Sequence, residues 1–146
     1  MKALTDIDIR DKANKYNIKL NGIYNRDNIP DNLASGWYIL NLDLNGEEGT
    51  HWTAFCINNG GKADIYFDSF GVLPPEDLSR HLGHYAYNVK IIQDPMSHSC
   101  GWFALMCIFA CQNTPHEKPF EKFIKDFSSN TDVNEVLLKK FWSKYP

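Results

Sequence analysis

Residues 50–70 read "THWTAFCINNGGKADIYFDSF", and this stretch decides how the chain folds. Two runs rich in aromatic and apolar residues flank "NNGG" at 58–61. Asn and Gly are the residues that a tight reversal of the backbone selects, because they tolerate positive φ. "THWTAFCIN" therefore reads as one strand and "KADIYFDSF" as its antiparallel partner. Antiparallel pairing brings the start of one strand beside the end of the next. His51 and Asp68 thus fall at the same end of the hairpin, an imidazole beside a carboxylate.

Upstream, "GWYILNLDL" (36–44) reads as another strand, joined to the hairpin by the turn "NGEEG" (45–49). "NGIYNRDNIPDN" (21–32) is dense in Asn, Asp, Gly and Pro and reads as loop. "LTDIDIRDKANKYN" (4–17) is expected to form a short helix with Thr5 as N-cap and Leu4, Ile9, Ala13 and Tyr16 near one face.

Downstream, "GVLPPEDLSRHLGHY" (71–85) holds a turn and a short helix from about Glu76 to Gly83, and "YNVKIIQD" (87–94) is expected to be a strand. "CGWFALMCIFAC" (100–111) is apolar almost all round, too short to cross a bilayer, and reads as a buried helix halted by "NTP". Two amphipathic helices follow in "KPFEKFIKDFSS", with Pro119 near its start, and "DVNEVLLKKFWSKY". No repeat or linker interrupts the chain. The expectation is one α+β domain over 1–146, with a central antiparallel or mixed sheet packed against helices.

The net charge of -3 gives no overall attraction to nucleic acid. Lys118, Lys122, Lys125, Lys139 and Lys140 read as a solvated face, so neither nucleic acid nor membrane is expected as a partner. The first residues contain no apolar core of a signal peptide, and the protein is not expected to be secreted. Of the cysteines Cys56, Cys100, Cys107 and Cys111, three share one predicted helix, which does not suit mutual bridging. All four are read as reduced thiols, with Cys107 and Cys111 in the core and no metal or cofactor site.

Cys100 stands apart, at the entrance of the apolar helix, where an N-terminus favours a thiolate. Together with His51 it has the makings of a thiolate–imidazolium pair for acyl transfer, with Asp68 fixing the imidazole tautomer. Gln93, at the end of a predicted strand, could join the Cys100 backbone N–H in holding an oxyanion. Gly101 leaves room beside the sulfur, and Trp52 is placed to cover the imidazole. Each residue also has a plain reading: His51 as a polar strand start, Asp68 as a turn former, Gln93 as a strand cap, Cys100 as core. His98 is the rival base and Asp94 the rival acid. Asp64 and Asp94 are expected to be solvated, and His81, His84 and His116 to be surface.

"GTHWTAF", "IYFDSFG" and "QDPMSHSCGWF" resemble the cysteine proteases of the adenovirus protease and SUMO-protease superfamily, clan CE. The resemblance is clearest from about Gly36 to Cys111. It implies a papain-like α+β fold with the nucleophile at the N-terminus of a buried helix. Position by position it implies His51 as base, Asp68 as orienting acid, Gln93 as oxyanion donor and Cys100 as nucleophile, with Gly49, Trp52 and Gly101 against the substrate. Gln93 stands seven positions before Cys100, the spacing of the adenovirus branch. The resemblance thus implies a protease of a DNA virus, virophage or Polinton-like element. Its substrates would be capsid or other precursor proteins, cut after Gly among small residues, within the host cell or the virion. A SUMO or ubiquitin-like isopeptidase and a non-enzymatic interaction module of the same fold are the alternatives. The chain lacks the basic charge and the cofactor-linked cysteine of the adenovirus enzyme, so neither DNA nor a disulfide-bound peptide is expected as activator.

Overall fold

The hairpin at the centre of the sequence is also the centre of the sheet. A computed structural model describes residues 1–44, 51–58 and 61–146. The turn expected at 45–49, with Gly49, and the tip residues 59–60 lie outside the described residues. Five strands run in the order β1 (Gly22–Asn25), β2 (Gly36–Asn41), β3 (Trp52–Ile57), β4 (Asp64–Phe67) and β5 (Tyr85–Tyr87). The β2–β3 and β3–β4 pairs are antiparallel, with Tyr38 opposite Phe55 and Phe55 opposite Tyr66. Both outer pairs, β1–β2 and β4–β5, are parallel. The sheet is therefore mixed, and the fold is α+β.

Every residue of β3 is buried, because both faces of the sheet are covered. Alternation sorts the side chains. Trp52, Ala54 and Cys56 face the larger core, with Trp37, Ile39 and Phe67. Phe55 and Ile57 face a smaller one with Tyr38, Leu40, Tyr66 and Leu78. The larger core is filled by α3 (Cys100–Asn113), whose Phe103, Ala104, Leu105, Cys107 and Ile108 are completely buried. Around it pack α1 (Asp6–Lys15), α4 (Pro119–Lys125) and α5 (Thr131–Ser143), and α2 (Glu76–Ser79) lies on the other face through Leu78. No helix among the described residues is long and apolar enough to span a membrane.

Local chemistry explains the helix ends. Thr5 caps α1 by accepting from the Asp8 N–H at 3.1 Å, and Asp8 returns the bond by accepting from the Thr5 N–H at 3.0 Å. Asn130 caps α5 through the Asp132 N–H. Pro119 sits at the first position of α4, where its missing N–H costs nothing.

Two segments depart from the sequence expectation. Residues 22–25, read as loop, form β1. Their polar composition is overridden by parallel pairing with Tyr38–Asn41 and by stacking of Tyr24 on Tyr38 at 6.0 Å. The segment 87–94, read as a strand, has strand structure only at Tyr87. Its period-two pattern has no partner strand to pair with. Instead the Ile92 and Gln93 N–H groups both donate to Ser69 O, Asn88 bonds Asp68, and Lys90 Nζ donates to Ile124 O and Phe127 O at the end of α4. Val89 and Ile91 are left exposed.

Candidate active site

His51 directly precedes β3 and Asp68 directly follows β4, so the antiparallel register sets them side by side. His51 Nε2 lies 2.7 Å from Asp68 Oδ1. The carboxylate is 1% exposed and is built into its place. Oδ1 also accepts from the Phe70 N–H at 2.8 Å. The Asp68 N–H donates to Asn88 Oδ1, and Asn88 Nδ2 donates back to Asp68 O at 2.6 Å. A buried carboxylate held this way can rotate very little.

The other imidazole nitrogen, Nδ1, is buried and has no partner within hydrogen-bond distance. The Cys100 sulfur lines the same small cavity as the ring and acts on its charge. Burial disfavours the imidazolium, but the hydrogen bonds and charges of Asp68 and Cys100 outweigh it and raise the His51 pKa to about 9. The ring is covered by Phe70, stacked at 4.7 Å with planes 21° apart.

Cys100 is the first residue of α3, so its own N–H has no acceptor within the helix. Its Sγ accepts from the Trp52 N–H at 3.4 Å. The other buried thiols are in a different setting. Burial pushes Cys56 up to about 12, and burial likewise raises Cys107. None of the cysteines is in a disulfide.

Gln93 reaches the same site from the irregular segment before α3 rather than from a strand end. It is 1% exposed. Ser69 Oγ donates to its Oε1 at 2.5 Å, and its Nε2 donates to Ser97 O and Oγ at 3.1 and 3.0 Å. A small cavity of about 50 Å³ lies over Cys100 between Ala3, Leu4, Phe70, Ser97 and His98, with Gln93 in its wall.

Four expectations for other residues change. Trp52 does not stack on the imidazole; its indole N–H donates to Leu4 O at 2.8 Å and so fixes the N-terminal segment, leaving the cover to Phe70. The room beside Gly101 is used by the protein itself, since a Cβ there would lie 3.1 Å from Leu4 Cδ1 and 3.3 Å from Trp52 Cδ1. Asp64 is not solvated: it is 8% exposed and accepts from the Asn58 and Gly83 N–H groups, both at 2.8 Å. Gly49 lies outside the described residues. Asp94, the rival acid, accepts from the Met96 N–H instead of meeting His51. His98 lines the cavity but is exposed, and His81 is half-buried rather than surface.

Sequence reading missed Phe70, Asn88, Ser69 and Ser97. The "DSF" run contained the first and third, but nothing in it said which ring would meet the imidazole. Among the described residues no group of three or more His, Cys, Asp or Glu could hold a metal ion.

No family model and no curated protein matches the sequence. Solved structures do share the fold. The chain is similar to the selenomethionine form of the ASFV pS273R protease, with a TM-score of 0.58 and 18% identity over 90% of this chain. A second structure of the ASFV pS273R protease aligns at 21% identity over 67% of this chain, with a TM-score of 0.45. The chain spans only 64% of the first and 39% of the second.

Proposed function

We propose that the chain is a cysteine endopeptidase. Cys100 is the nucleophile, His51 the proton carrier, Asp68 the carboxylate that orients it, and Gln93 with the Cys100 N–H the oxyanion donors. One observation carries this reading: His51, held at Nε2 by Asp68 at 2.7 Å, lines one small cavity with Gln93 and with Cys100 at the start of α3. An imidazolium there favours the thiolate electrostatically, and a helix N-terminus adds to the effect.

The reaction follows from these positions. The thiolate attacks the scissile carbonyl carbon, and the C=O π pair moves onto oxygen. Gln93 and the Cys100 N–H hold that oxyanion. As the intermediate collapses, the C–N bond breaks and the leaving amine takes the proton from His51 Nδ1. The neutral imidazole then removes a proton from water, the hydroxide adds to the thioester, and the acid departs with the thiolate restored. Asp68 keeps its charge throughout.

The resemblance in motifs and the fold shared with a viral protease support a substrate class of viral capsid or other precursor proteins. The same resemblance supports cleavage after Gly in small-residue contexts, within the infected cell or the particle.

The test is cleavage of a peptide library by the protein and by Cys100→Ala. The substitution should abolish cleavage and leave the circular dichroism spectrum unchanged; turnover that survives it would end this reading. Iodoacetamide at neutral pH should modify Cys100 faster than Cys56 or Cys107, read by mass spectrometry of peptides. Covalent capture of Cys100 by a SUMO or ubiquitin vinyl sulfone would transfer the chemistry to an isopeptidase.

A further inference from the structure

The turn between Gln93 and Cys100 is closed by its own residues, with the Ser97 N–H donating to Asp94 O and the Met96 N–H to the Asp94 carboxylate, both at 3.0 Å. From outside, a single carboxylate of the C-terminal helix grips it as well. Glu135, on α5, accepts from the Asp94 N–H at 3.0 Å, from Ser97 Oγ at 3.1 Å and from Ser99 Oγ at 2.8 Å. Ser97 and Ser99 also touch each other at 2.8 Å. All three groups belong to the short segment that joins the two oxyanion donors of the proposed mechanism.

The direction of each hydrogen bond matters more than their number. An ionised carboxylate only accepts. It therefore draws the hydroxyl protons of Ser97 and Ser99 toward α5. Ser97 Oγ is left with lone pairs facing Gln93, and what Gln93 presents to it is an N–H. The carbonyl end of the same amide is taken by the Ser69 hydroxyl. The chain Glu135–Ser97–Gln93–Ser69 thus has one polarity, which agrees with the bond from Gln93 Nε2 to Ser97 O at 3.1 Å, and both leave the donor end of Gln93 on the Ser97 side, where the cavity over Cys100 lies. Ser99, the residue before Cys100, is tied to the same carboxylate instead of capping α3 with its side chain.

A plain tether between α5 and the irregular segment before α3 is the competing explanation. That task is already done by the preceding residue. Asn134 is completely buried and donates to Ile92 O at 3.1 Å and to Ser128 O at 2.8 Å. Three acceptor contacts directed at one short turn exceed what a tether requires.

We propose that Glu135 is a positioning residue for acyl transfer. Through the Ser97 hydroxyl it reinforces the amide orientation that Ser97 O also selects, and through Ser99 it sets the turn that presents the Cys100 N–H. The inference rests on the reading of Cys100 and Gln93 given above. Replacing the carboxylate by an amide introduces a donor, so the Ser97 proton is free to turn toward Gln93 and the polarity of the chain is lost.

Two probes separate this role from packing. A glycine-ended peptide aldehyde adds to the sulfur: the S–C bond forms, the C=O π bond breaks, and the tetrahedral oxygen is held by the oxyanion donors. Iodoacetamide reads the sulfur alone. Glu135→Gln should bind the aldehyde about 10-fold or more weakly, while its alkylation rate and its urea unfolding midpoint stay close to those of the unaltered protein. Ser97→Ala should show the same split, and adding Glu135→Gln to it should cost much less than in the presence of Ser97. Aldehyde affinity unchanged in both variants, or alkylation falling in parallel with it, would overturn the role. An aldehyde that fails to engage the unaltered protein would instead sink the acyl-transfer reading, and this inference with it.

Discussion

Strand β4 carries a buried aspartate at each end, and the two differ in what they can do. Asp64 begins the strand; its two oxygens accept from the backbone N–H groups of Asn58 and Gly83. Asp68 follows the strand; one oxygen accepts from the Phe70 N–H and also meets His51. Both carboxylates are nearly inaccessible to water. One ties loops together with groups that never titrate at ordinary pH. The other is paired with a side chain that gains and loses a proton, and that side chain shares a small cavity with the Cys100 sulfur. The partner decides whether a buried carboxylate is structural or chemical, and burial alone does not.

Cavity size does not mark the end that carries the proposed site either. The roomier cleft, about 650 Å³, lies at the Asp64 end among Asn58, Lys62, Arg80 and His81. The cavity over Cys100 is about 50 Å³. The small one has Cys100, His51 and Gln93 in its walls.

The comparison can be broken most directly at Asp68. Asp68→Ala should lower turnover on a cleavable peptide by about 100-fold or more, because the imidazole loses the group that fixes its tautomer and charge. A loss below tenfold would place Asp68 with Asp64 among the structural carboxylates.

The second test reads pH. The folded pKa of His51, about 9, lies above its ordinary value of 6.5, so the proton stabilises the fold. That contribution is whole below about pH 6.5 and is lost as pH rises through about 9. The expected loss is on the order of 3 kcal/mol. Urea denaturation over this range should show the decline, and Asp68→Ala should flatten it. Asp64→Ala should leave the slope intact.

The smallest effect is expected at Asp64 itself. Removing it strands two backbone N–H groups, one of them on exposed Gly83, and should cost about 1–3 kcal/mol in urea denaturation. Turnover per folded molecule should hold within about threefold, since no reacting group moves. A larger catalytic loss would mean that the two ends of β4 are coupled.

Much of this arrangement was legible in the chain because its causes are local. Thr5 announced a helix start, and it caps α1, with Asp8 completing a capping box. The "NNGG" stretch between two aromatic runs announced antiparallel strands, and the pairing of Phe55 with Tyr66 follows. The apolar run from Cys100 announced a buried helix, and its length and burial agree. The failures share one feature, which is that a partner distant in sequence decided the outcome. Residues 22–25 became a strand because β2 offered an open edge. Residues 87–94 did not, because their backbone groups found Ser69, Asp68 and α4 first. Asp64 looked solvated because its two acceptor roles depend on where the loops at 58 and 83 return.

By itself, then, the sequence determined the helices and the central strands, the α+β class and the end of the hairpin at which His51 and Asp68 meet, since strand register and helix capping act over a few residues. Only the tertiary structure decided that Phe70 rather than Trp52 covers the imidazole, that the room beside Gly101 is filled by Leu4, and that Glu135 grips the turn before Cys100. Those outcomes depend on packing and on the direction of hydrogen bonds between segments far apart in the chain, and no periodicity in the sequence encodes either.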